Sequence, residues 1–74
     1  MQVVMSQPEQ IRQWRRDLGV SQIRLARLAR VSRFRLSLWE SGNGPFTDEE
    51  LGKVRRALGR LAAECREVLA AIAE

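Results

Sequence analysis

Apolar positions along this 74-residue chain recur at intervals of three and four, and short polar stretches separate the runs. Ile11, Trp14 and Leu18 form the first such stripe, the spacing of one face of a helix. Ser6 followed by Glu9 reads as a capping box, each side chain taking up a free amide of the first turn. Pro8 fits that turn because its missing N–H has no partner to lose there. Gly19 offers a left-handed stop. A first helix is predicted over about residues 7–18.

One pattern then occurs three times: an apolar residue, a Ser or Thr, and an apolar residue four positions beyond it. It appears as Val20-Ser21 with Leu25, Val31-Ser32 with Leu36, and Phe46-Thr47 with Leu51. This is the hydrophobic staple, which fixes the angle at which chain enters helix. The third copy adds a capping box, Thr47 to Glu50. Helices are predicted over 22–29 and 33–41, with a fourth starting at 48. Gly42 closes the third, and Asn43-Gly44-Pro45 reads as a turn. No strand pattern competes, so the fold class is all-α.

The last segment carries the longest pattern. Leu51, Val54, Leu58, Leu61, Cys65, Val68 and Ile72 follow at spacings of 3, 4, 3, 4, 3, 4, a heptad seam. Gly52 and Gly59 each weaken a helix there by about 1 kcal/mol relative to Ala, yet one helix over 48 to about 72 is the expectation. The first half of the seam is expected to pack on the chain's own core. From Leu61 onward so short a chain has no surface left to cover it. Leu61, Cys65, Val68 and Ile72 are therefore expected at a homodimer interface, with Cys65 acting as a small hydrophobe. Residues 1–58 and the helical extension 59–74 are read as one domain.

Composition narrows the function. The chain has no His, no Tyr and a single Cys, so metal-ligand spacing is absent and no metal or cofactor is expected. An enzyme is not expected in so small a core. One thiol fits a reducing cytoplasm, and Val3-Val4-Met5 is too short for a signal peptide or membrane span. Charge divides unevenly: residues 1–39 hold eight arginines against Glu9 and Asp17, while residues 40–74 hold five bases against seven acids. The positive excess thus lies in the first half. Arginine's planar fork suits phosphate and guanine, although a solvated helix face has the same composition.

Only three or four residues separate the second and third helices, and Ala26 sits mid-way along the second. A short turn forces a steep crossing, and a small side chain permits close approach, which describes a helix-turn-helix. The run Ser21-Gln22-Ile23-Arg24-Leu25-Ala26, then Val31-Ser32-Arg33, Leu36 and Trp39-Glu40-Ser41-Gly42, resembles the phage-repressor and Cro-like helix-turn-helix family over about residues 10–58. The resemblance implies a compact four- or five-helix domain whose third helix enters the DNA major groove, as a homodimer on a palindromic operator. It places Arg33, Phe34 and Leu38 at base-reading positions. Gln22, Ser32, Arg30 and Arg35 fall to the phosphates, Leu36 and Trp39 to the core. It also implies a partly buried salt bridge between Arg15 and Glu40.

The chain departs from the family pattern in three places. Arg30 stands at a turn position where glycine is usual, so positive φ is expected there at roughly 1 kcal/mol. Phe34 and Leu38 are apolar where polar readers are common, which suits thymine methyl groups or a protein partner. Ile23 and Leu28 stand where polar residues are tolerated, and packing on the C-terminal helix would account for them. The expectation is a repressor in a prokaryotic cytoplasm or nucleoid, competing with polymerase for promoter DNA. The alternative is an antitoxin-like adaptor in which Phe34 and Leu38 grip a protein.

Overall fold

The structure, a computed structural model, describes residues 5–73; Val3 and Val4 of the apolar start lie outside the described residues. Four helices make up the described chain: α1 (Gln7–Asp17), α2 (Gln22–Ala29), α3 (Arg33–Glu40) and α4 (Asp48–Ala73). Each begins where a hydroxyl accepts a free amide. Ser6 Oγ accepts from Glu9 N at 3.4 Å, Ser21 from Arg24 N at 3.1 Å, and Ser32 from Arg35 N at 3.4 Å. At α4 the exchange is reciprocal: Glu50 N donates to Thr47 Oγ1, and Thr47 N donates to Glu50 Oε1, both at 3.1 Å.

The three connections share one device. After α1, α2 and α3 the backbone turns left-handed, at Gly19 (φ 68°), Arg30 (φ 59°) and Gly42 (φ 81°). Each turn returns an amide to an otherwise free carbonyl of the helix end: Val20 N to Arg15 O, Val31 N to Ala26 O, and Asn43 N to Leu38 O. Two of the three positions carry glycine. Arg30 bears the steric cost of a Cβ in this region, so Arg30→Gly is expected to raise stability by up to about 1 kcal/mol. Thermal or urea unfolding checks this, and a clear loss of stability would contradict the strain.

The staples converge on one core. Ile11, Leu25, Leu36 and Val54, one from each helix, are its most deeply buried large side chains, joined by Val20, Ala26, Ala29, Trp39, Ala57, Leu58 and Leu61. α2 lies against both α3 and α4, and α1 also packs on α3 and α4. Phe46 stacks on Trp39 with ring centroids 4.8 Å apart and planes 14° from parallel, so the turn before α4 is sealed onto the end of α3.

α4 runs unbroken through Gly59. Its seam divides one turn later than its sequence implies: Leu61 is only 5% exposed and belongs to the chain's own core. Val20, in the α1–α2 connection, belongs to the same core cluster, and Leu18 packs partly against it. Leu61 is therefore not a free interface residue. Cys65, Val68 and Ile72, on the same seam, do stand exposed, as does Leu69. Leu28 packs partly against the core, whereas Ile23 stays exposed beside Leu61 and Glu64.

Candidate nucleic-acid interface

α3 is a helix with two unlike sides. Leu36 and Trp39 face the core, and the buried Glu40 ends the helix. On the opposite side Arg33, Phe34 and Leu38 face solvent, with Ser37 partly exposed between them. A helix only eight residues long cannot hold its orientation by its own hydrogen bonds, so the packing of its inner side must fix it.

Glu40 supplies much of that fixing. The residue is 3% exposed and its carboxylate receives three hydrogen bonds. Arg15 donates through Nε to Oε2 at 3.0 Å and through Nη2 to Oε1 at 2.9 Å, a bidentate pair. Gln22 Nε2 donates to Oε1 at 3.0 Å. The guanidinium's remaining arm, Nη1, donates to Val20 O at 3.0 Å. One carboxylate thus joins the end of α3 to the last turn of α1, the first residue of α2 and the turn between them. No buried side-chain nitrogen or oxygen among the described residues lacks a hydrogen-bond partner.

A second pair holds the other flank of α3. Arg35 donates to Glu50 through Nε at 2.8 Å and Nη2 at 2.6 Å, and Nη2 also reaches Pro45 O at 3.3 Å. The hydrogen bond from Arg35, with help from the Thr47 backbone amide, lowers the Glu50 carboxyl to about 2. A depressed carboxylate stays paired at and above the ordinary carboxylate range, and the pair opens only as pH falls towards 2. Glu50 therefore serves two elements at once, capping α4 and anchoring α3.

These two clusters change what some side chains have left to offer. Gln22 keeps one amide N–H beyond its bond to Glu40. Arg35 has its charge matched by Glu50 and keeps only Nη1 unengaged. Arg30 and Ser32 are exposed in the α2–α3 turn, and Arg24, Arg27 and Arg33 are exposed nearby on α2 and α3. Within the twelve residues 22–33 the described chain thus presents four exposed arginines and no acid. The arrangement is a short helix pinned from behind, with a mixed basic and apolar outer side.

A helix-turn-helix family model of the Cro/C1 type matches residues 11–64. The chain belongs to that family. This helix-turn-helix protein is accordingly a DNA-binding regulator of transcription, in a family that is generally non-enzymatic. Neither a curated protein nor a solved structure matched the chain. No helix among the described residues is long and apolar enough to cross a membrane.

The sequence gives no sign of two of these links. Gln22 bonding Glu40 joins residues 18 apart, and Arg35 bonding Glu50 joins residues 15 apart in different helices. The Thr47–Glu50 capping box was readable, but a capping carboxylate does not announce which arginine will share it.

Proposed function

We propose that this protein is a homodimeric repressor that reads a palindromic operator with α3. The observation that supports it best is the outer side of α3: Arg33, Phe34 and Leu38 exposed on a helix whose inner side is held by Glu40 and Glu50. Rigid presentation keeps a small set of side chains in register with base edges, and the surrounding arginines supply phosphate affinity. Gln22, Ser32 and Arg30 are assigned to phosphates, with Arg35 contributing through Nη1. The second half of the proposal rests on α4, whose last turns expose Cys65, Val68, Leu69 and Ile72. A second copy of the same chain covers that apolar surface and supplies the second recognition helix. Bound across a promoter, such a dimer occludes polymerase.

Selection of bound sequences from random DNA tests the reading directly. The expected result is a two-fold symmetric motif. Arg33→Ala is expected to relax discrimination at one base pair, a G·C, at about 1–3 kcal/mol. Gln22→Ala is expected to weaken all sequences alike. Binding should also be steeply salt-dependent: with about seven phosphates neutralised by a dimer, the log–log slope is near −6. A slope shallower than about −2 would reduce the basic surface to a solvated face, and an unchanged motif in Arg33→Ala would misplace the reading side.

A further inference from the structure

Phe34 is the feature of α3 least like an ordinary surface residue. It lies in the first turn with 73% of its area exposed, and Leu38 follows one turn later on the same side. Residues four apart on a helix have Cβ atoms roughly 5–6 Å apart, so the two form a single apolar ridge. That ridge is braced. A Cβ built at Gly44 would lie 3.0 Å from Leu38 Cβ, so the turn after α3 packs tightly against Leu38. Leu38 is thereby backed by the Gly42–Gly44 turn and Phe34 projects beyond it.

Among exposed arginines, a ridge of this kind has a specific use. Major-groove edges are polar throughout except for one apolar group, the methyl on C5 of a pyrimidine. We propose that Phe34 and Leu38 read that methyl: α3 selects base pairs bearing a 5-methylpyrimidine, thymine in unmodified DNA or 5-methylcytosine in methylated DNA. This rests on the DNA-reading assignment of α3 and goes beyond it by naming the group recognised. The flanking charge favours DNA over a protein as the occupant. The centres of protein-docking patches are depleted of charge, whereas this ridge adjoins Arg33 on its own helix and follows the exposed Arg30 and Ser32 of the turn before it. The polar neighbours Arg33 and Ser37 would bond the base edges on either side while the ridge packs on the methyl.

Chemical substitution in the DNA tests this without altering the protein. On the operator obtained by selection, each thymidine is replaced in turn by deoxyuridine, which deletes the methyl and nothing else. In a parallel arm each deoxycytidine is replaced by 5-methyldeoxycytidine, and affinities are compared at one salt concentration. Burial of one methyl is worth about fourfold, from roughly 0.8 kcal/mol. A loss of that size is expected at one or two thymidines per half-site, or a gain of that size at one or two cytidines. The first result assigns the ridge to thymine and the second to methylated cytosine. Phe34→Ala and Leu38→Ala, both outside the core, should each abolish the methyl effect at one position and leave the salt slope unchanged. If neither substitution changes affinity anywhere while the protein still binds its selected site, methyl reading is overturned and the DNA-reading assignment of α3 stands. Failure to select any sequence overturns that assignment, and this inference with it.

Discussion

Glu40→Ala is expected to cost about 3–5 kcal/mol of folding stability, the size typical of removing one partner from a buried ion pair. The side chains of Arg15 and Glu40 are 12% and 2% exposed, so the pair is largely shielded from water. The variant leaves the Arg15 guanidinium with only Val20 O, and leaves the Gln22 amide without its acceptor. A chain of this length has roughly 4–11 kcal/mol of stability in all, at about 0.05–0.15 kcal/mol per residue. The loss therefore shows as a large fall in the urea midpoint, and DNA binding falls with it because α3 is no longer pinned. Arg15→Met combined with Glu40→Leu should recover much of the loss, since replacing both partners by apolar groups leaves no stranded charge. A cost below about 1 kcal/mol for Glu40→Ala, as found for exposed pairs, would show that the network does not hold the helices together.

The fold was legible because its signals are local. Capping hydroxyls, staples and left-handed stops each lie within six residues, and all place helix boundaries to within a residue or two of those observed. The strained turn at Arg30 was legible through the family resemblance, which sets glycine at that position. What stayed hidden depends on distance between elements. Periodicity places Leu61 and Val68 on one seam, but it does not say how far along α4 the other helices reach. That limit falls between Leu61, 5% exposed, and Val68, 58% exposed. In the same way, composition shows Arg35 as one more positive charge in a basic half. Only the packing of α3 beside the start of α4 gives most of its hydrogen bonding to Glu50.

The division of the α4 seam decides how the dimer is to be tested. A charged residue at Leu61 would enter the core and unfold the chain, so loss of binding there would say nothing about assembly. Val68 and Ile72 are 58% and 75% exposed and carry no such penalty. Val68→Asp with Ile72→Asp is expected to give a folded, helical protein that sediments as a monomer, while Leu61→Asp gives a largely unfolded one. One recognition helix covers too few base pairs for specific affinity at genome scale. Two of them related by a two-fold axis, about 34 Å apart, read half-sites on one face of the duplex. The Val68→Asp, Ile72→Asp variant should therefore lose specific affinity by orders of magnitude and keep weak, salt-sensitive binding to any sequence, because its arginines on α2 and α3 are untouched. A variant that stays dimeric would move the interface elsewhere, with exposed Ile23 and Trp14 the next surfaces to examine. A wild-type chain that is monomeric both free and on its selected operator would end the dimer model, since the apolar end of α4 would then have no second copy to cover it.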